Sequence, residues 1–330
     1  MIFATKLAVR NREKYFADIY REFQTFCFRY SHINGGQRNK IKYNNLVYRL
    51  PPCVLLRIFH FLDLKSLCTC SRVCRFWYNY CNDSSLWRII DLRSYQINLR
   101  LIKKIFSRRV SKNTKEIYIK GTVMEKKKFD NLSQTLLQSI KSKAGRLEKF
   151  CLYDSYLRNI KIKWFPGCIN NLSLVHCVVP LDWFYELRQS NLFPALEYLD
   201  LSRCTRIAKD DVLSICFIKT LKTLKLNGCY RVIDKDIEVI AKNLDKLTKL
   251  EVNNCRLSDV SMQYITCYGK NIKSLSICRT AVTELGISAL KACLENLVFL
   301  DIRACHWQTQ EMAEQLFAEK TNLILVTGIF

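Results

Sequence analysis

From residue 147 onward the chain repeats one arrangement: apolar-x-x-apolar-x-apolar-x-x-small. It reads LEKFCLYDS from Leu147, INNLSLVHC from Ile169, LEYLDLSRC from Leu196 and LKTLKLNGC from Leu221. LTKLEVNNC from Leu247, IKSLSICRT from Ile272 and LVFLDIRAC from Leu297 continue it, with starts 22, 27, 25, 26, 25 and 25 residues apart. A weaker copy, TKEIYIKGT, begins at Thr114, and a partial one begins at Leu323. Alternation at the fourth and sixth positions predicts a short strand with one buried face. Helical spacing follows between the strands: Ile237, Ile240 and Leu244 form one apolar stripe in 233–244. Ser258 and Thr283 stand where they would cap helix N-termini. One strand and one helix cannot bury an apolar face alone, but stacked copies can. The period therefore predicts an α/β solenoid, a curved parallel sheet with outer helices.

The repeats over residues 110–330 resemble the cysteine-containing leucine-rich-repeat family. In that family the ninth position turns the chain out of the strand and points inward. Carried over, Cys177, Cys204, Cys229, Cys255 and Cys305 form a structural ladder, with Ser155 and Thr280 in the other two copies. The 33-residue step from Thr114 to Leu147 departs from the pattern.

A different rhythm precedes the repeats. Leu50-Pro51-Pro52 gives an extended start and a proline-primed helix. Leu55, Ile58, Phe59 and Leu62 then share one helix face, and Asp63 and Ser66 separate it from the next helix. Leu67, Cys70, Val73, Cys74 and Trp77 read as a second apolar stripe, and Ile90 and Leu92 as a short strand that opens the solenoid. Leu50, Phe59, Leu62 and Trp77 are more apolar surface than so small a unit is expected to cover, which argues for a partner.

This segment resembles the F-box: Leu50-Pro51, Ile58-Phe59, Leu62-Asp63-Leu64, Leu67, Val73-Cys74-Arg75-x-Trp77 and Leu86-Trp87. Cys53 stands where the family usually has an acid, which would favour the helix dipole. The resemblance implies a small all-helical module that docks a Skp-type adaptor, and through it a cullin–RING scaffold. The implied contacts are Leu50, Pro51, Leu55, Ile58, Phe59, Val73 and Trp77.

Composition changes this picture little. Apolar residues make up 49%, enough for a sizeable core, and Gly (9) and Pro (5) are scarce, which excludes global disorder. No run of 18 apolar residues occurs, so no transmembrane helix is expected. The net charge of +24 is concentrated: residues 93–146 carry 15 Lys and Arg against 3 Asp and Glu. That stretch has few aromatics, so nucleic-acid binding is not the expectation. Seventeen cysteines without a signal peptide read as buried thiols in a reducing compartment, the cytoplasm or the nucleus. Cys68, Cys70, Cys74 and Cys81 lack a C-x-x-C pair, so no metal is expected there. His32, His60, His176 and His306 sit in no catalytic spacing, and no phosphate-binding glycine loop occurs, so neither an enzyme nor a cofactor is expected.

The residues between the apolar strand positions are expected on the concave face. Tyr198 and Phe299 are apolar anchors there, among Asp200, Lys225, Glu251, Asp301 and Arg303. The opposing expectation is that these charges pair across the ladder and bind nothing. The predicted layout is a basic aromatic extension over 1–45, the F-box over 46–92, a basic connecting segment with an irregular repeat over 93–146, and repeats with a terminal cap over 147–330. F-box before repeats implies a non-catalytic substrate receptor of an SCF ubiquitin ligase, holding an unidentified protein. The alternative is a repeat scaffold or assembly factor without ubiquitin, mitochondrial if residues 1–45 are a transit peptide, against which Glu13, Asp18 and Glu22 count.

Overall fold

The computed structural model describes residues 51–121, 132–293, 296–305, 307–318 and 322–328. The expectations for residues 1–45 and for Leu50 lie outside the described residues. The chain divides into two units, at Arg88 and Ile89.

The described part of the first unit is helical: α1 Pro52–His60, α2 Leu64–Cys70 and α3 Arg75–Cys81. Pro52 at the first turn starts α1 with no side-chain cap and no acid, so Cys53 leaves that N-terminus without a compensating charge. Asp63 caps α2 by accepting from the Ser66 amide at 3.2 Å. The second apolar stripe is broken into two helices. Ser71 Oγ donates to the Cys68 carbonyl at 2.7 Å, and Cys74, fully extended (φ −158°, ψ 169°), becomes the N-cap of α3.

The second unit is one ten-stranded parallel sheet, its strands in sequence order among the described residues. The strands are β1 Ile89–Asp91, β2 Glu116–Lys120, β3 Lys149–Tyr153, β4 Asn171–Val175 and β5 Tyr198–Asp200. They continue with β6 Thr223–Lys225, β7 Lys249–Glu251, β8 Ser274–Ser276, β9 Phe299–Asp301 and β10 Ile324–Val326. Register is constant: Asn171, Tyr198, Thr223, Lys249, Ser274 and Phe299 face one another across successive strands. The fourth and sixth positions, from Phe150 and Leu152 to Leu300 and Ile302, are at most 1% exposed. That continuous apolar wall is what single repeats cannot bury alone. The irregular first copy obeys the same register, Glu116 opposite Lys149.

The outer layer is α4 Leu99–Arg109, α5 Gln134–Lys143, α6 Lys209–Ile215, α7 Asp234–Asn243, α8 Asp259–Tyr268, α9 Glu284–Cys293 and α10 Trp307–Phe317. Ser258 caps α8, and the Thr283 hydroxyl accepts from the Leu285 amide, as expected. Each cap is also tied to the previous repeat: Ser258 Oγ donates to Asp234 at 2.7 Å and Thr283 Oγ1 to Asp259 at 2.6 Å.

Two connections lack the expected helix. Between β3 and β4, and between β4 and β5, only 3-10 turns form, at Ile162–Trp164 and Tyr185–Arg188. Pro166 and Pro180 interrupt these stretches. Rings replace the helices: Phe150, Phe165, Trp183 and Phe184 meet edge-to-face in series, at centroid distances of 5.4, 5.8 and 4.9 Å.

Among the described residues no helix is long and apolar enough to cross a membrane.

Candidate protein-binding surfaces

The helical unit hides much of what the sequence offered to a partner. Leu55, Phe59 and Trp77 are 0, 1 and 2% exposed. Phe59 and Trp77 pack edge-to-face at 5.7 Å, and the Trp87 indole donates to the Cys81 carbonyl at 2.8 Å. The surplus of apolar surface is therefore smaller than expected, because α1 and α3 turn their large side chains toward each other. What remains outward is a second stripe of α1. Val54 and Phe61 are exposed and Ile58 half-buried, at i, i+4 and i+7, with Pro51 exposed before them. Val73 is half-buried and Tyr78 exposed.

On the concave face, the structure gathers Tyr198, Asp200, Lys225 and Glu251. The Tyr198 hydroxyl donates to Asp200 at 3.4 Å, and the Lys225 ammonium lies 5.8 Å from the Tyr198 ring centroid. Glu251 accepts from Lys225 at 2.9 Å, Lys249 at 3.1 Å and the Asn227 amide at 2.9 Å. Burial raises the Glu251 pKa, but these hydrogen bonds outweigh it and hold the carboxyl below its ordinary range. Burial likewise pushes the Tyr198 phenol up. Two repeats on, Arg303 donates to Asp301 through Nε and a terminal nitrogen, at 2.9 and 2.8 Å. Phe299 is half-buried beside them.

Asp301 is only 4% exposed, so it anchors Arg303 and does not itself reach a partner. Cys151, Ser173, Ser276 and Cys278 are also buried on this face. Parallel strands about 4.8 Å apart in constant register stack like positions on one another, which closes the middle of the concave surface. Lys225 pairs with Glu251 across neighbouring strands, Arg303 pairs with Asp301 within one copy, and Tyr198, Phe299, Lys225 and Arg303 keep partial exposure.

One cluster escaped the sequence reading. Arg93, just after β1, lies 4.6 Å over the Tyr118 ring and 5.6 Å from that of Tyr153, and Lys149 lies 5.3 Å from Tyr118. Tyr118 donates to Glu116, and Arg93 is held by Asp91 at 2.6 Å. The signal was present: Tyr118 holds the fifth position of the weak copy, as Asp200 does in its own.

The ninth-position thiols behave as a ladder. Cys204, Cys229, Cys255 and Cys305 donate to the sixth-position carbonyl of the preceding copy, Leu174, Leu201, Leu226 and Ile277, at 2.8, 3.2, 3.2 and 3.4 Å. Cys177 does the same to Leu152 at 3.7 Å. Burial pushes the Cys204 and Cys255 thiols up to about 12. In the helical unit Cys70 and Cys81 are buried, while Cys68 is exposed.

Known proteins agree with this architecture. An F-box-like family model matches residues 47–93. F-box/LRR-repeat protein 12 of Bos taurus is 26% identical over 254 residues, spanning 76% of this chain and 78% of its own length. The Homo sapiens protein of that name is 26% identical over 251 residues, with 75% and 77% covered. The chain carries an F-box-like segment followed by a leucine-rich-repeat sheet. A solved yeast structure, of Rad7 in complex with Elc1, matches all of this F-box and repeat chain and 92% of its own at a TM-score of 0.50. At 14% identity that is a likeness of fold alone.

Proposed function

We propose that this chain is the substrate-recognition subunit of a Skp–cullin–F-box ubiquitin ligase. The observation that carries the reading is an F-box-like segment directly followed in sequence by a ten-stranded repeat sheet with a chemically varied concave face. The F-box supplies attachment. The repeats supply selection. The chain needs no reacting group of its own, because holding a substrate lysine near a charged conjugating enzyme raises its effective concentration.

Differences in burial support different roles for the implied adaptor residues and their neighbours. Leu55, Phe59 and Trp77 shape α1 and α3 from within. Pro51, Val54, Ile58 and Phe61 present the apolar stripe that meets the adaptor, with Val73 at its margin. Tyr198, Lys225, Phe299 and Arg303, and the Arg93–Tyr118–Tyr153 cluster, are the surfaces on which a substrate rests.

Two variants separate these roles. The double change Val54→Asp and Phe61→Asp alters exposed positions only, so the helical unit stays folded while capture by purified adaptor is lost. Trp77→Ala removes a core ring and loses capture by unfolding that unit, at a cost of about 3–5 kcal/mol. Circular dichroism and pull-down on both variants check the assignment. Undiminished capture by the folded double variant contradicts it.

A further inference from the structure

The turns that leave the strands form a row with a gap in it. The eighth residue of each of the seven full copies has left-handed backbone: Asp154, His176, Arg203, Gly228, Asn254, Arg279 and Ala304, with φ between 50° and 71°. Its amide donates to the seventh-position carbonyl of the next copy, as Arg203 does to Asn227 at 2.6 Å and Gly228 to Asn253 at 2.7 Å. Backbone geometry thus fixes the spacing of these side chains along one rim of the sheet. Gly228 alone in this row has no side chain.

A cavity of about 570 Å³ opens there. Arg203 and Arg279 line it with His176, Asn254 and Tyr230, and no carboxylate is among the described lining residues. Carboxylates stand behind the lining: Asp154 bonds His176 Nδ1 at 2.6 Å, and Glu251 accepts from the Asn227 side chain at 2.9 Å as well as from Lys225 and Lys249. The floor is prearranged. Asn227 Oδ1 accepts from the Asn253 amide at 3.0 Å, and Asn253 Oδ1 accepts from the Cys278 amide at 2.6 Å and from Ser276 Oγ at 2.8 Å.

We infer that this cavity binds an oxyanion, a phosphoryl group or a carboxylate, carried by a protein held on the repeats. Arg203 and Arg279 supply the charge and the forked donors that such groups accept. Asn254 and Tyr230 supply neutral donors. The site deepens the receptor reading and rests on it only for the statement that the anion belongs to a captured protein.

The test titrates the full chain with inorganic phosphate, phosphoserine and glutarate at constant ionic strength, by calorimetry. Saturable binding is expected, weakened about tenfold by Arg203→Gln and again by Arg279→Gln. Gly228→Asn fills the gap and weakens binding while lowering the melting temperature only slightly, because Asn254 bears the same left-handed backbone one repeat on. Lys103→Gln with Lys104→Gln, on exposed positions of α4, leaves binding unchanged and controls for the chain's general positive charge. Preference for phosphate and phosphoserine assigns a phosphorylated partner, and equal binding of glutarate assigns an acidic one. Absence of saturable binding, or binding unaffected by the arginine changes, overturns the site. Adaptor capture is measured on the same preparations. Its absence alongside saturable phosphate binding overturns the receptor reading and leaves the site standing.

Discussion

From β5 to β9, strand, turn and outer helix recur at near-constant intervals, with cysteine at the ninth position in each copy except that of Thr280, and the Asn227–Asn253 hydrogen bonds run along the concave side. Between β3 and β5 the thiol bond lengthens to 3.7 Å at Cys177, the outer helices give way to 3-10 turns, and a chain of four aromatic rings fills the space. The strand register is unaffected. The comparison teaches that the sheet, with its backbone bonds and its apolar fourth and sixth positions, defines the repeat. The outer layer is a replaceable filling, with helix or aromatic cluster serving equally.

Breaking the aromatic filling has the largest expected effect. Phe165 is 1% exposed between Phe150 and Trp183, and Phe165→Ala costs about 3–5 kcal/mol, read as a lowered denaturation midpoint. A cost as small as that of an exposed ring would mean the cluster does not replace a helix.

Breaking the ladder costs less. Cys229→Ala removes the bond to the Leu201 carbonyl and costs about 1–2 kcal/mol. Cys229→Ser keeps a donor, as Ser155 does in its own copy, and costs less than Cys229→Ala. Burial lifts the Cys204 and Cys255 thiols far from thiolate character, so mild alkylation should label the exposed Cys53, Cys68, Cys168 and Cys267 first. Mass spectrometry reads the order, and early labelling of Cys204 or Cys255 would contradict the buried ladder.

The smallest effect sharpens the comparison at α6, the first helix of the regular half. The Asp211 carboxylate accepts from the Ala208 amide at 3.2 Å through Oδ2, while Oδ1 is buried without a hydrogen-bond partner among the described residues. Burial pushes its pKa from 3.8 up to about 6. The folded chain therefore holds this proton more tightly than the unfolded one, and Asp211 makes stability fall as pH rises through that window. In Asp211→Asn this contribution is gone, so the variant gains on the parent between the lower and the upper pH. Urea midpoints of both proteins at each pH give the difference, and a constant difference would contradict the assignment.

Much of this was legible in the sequence, because the repeat rests on local alternation and register. The seven strand copies and the caps at Ser258 and Thr283 follow from spacing and residue type, and the ladder cysteines from the family resemblance. The helix-free connections were not legible: Phe165, Trp183 and Phe184 have no period of their own, and only their three-dimensional meeting makes a core. Burial in the F-box was misjudged for the same reason. Phe59 and Trp77 look like surplus apolar surface until α1 and α3 close on each other. Arg93 was missed because it precedes the copy whose Tyr118 it covers.

The central claim is that the F-box attaches this chain to a ligase. Co-expression of the full chain with a Skp-type adaptor and cullin, followed by size-exclusion chromatography at moderate salt, tests it most directly. The account predicts one stoichiometric complex, lost in the Val54→Asp, Phe61→Asp double variant. A folded, monodisperse chain that elutes apart from the adaptor would contradict it and leave the repeats as a scaffold outside the ubiquitin pathway.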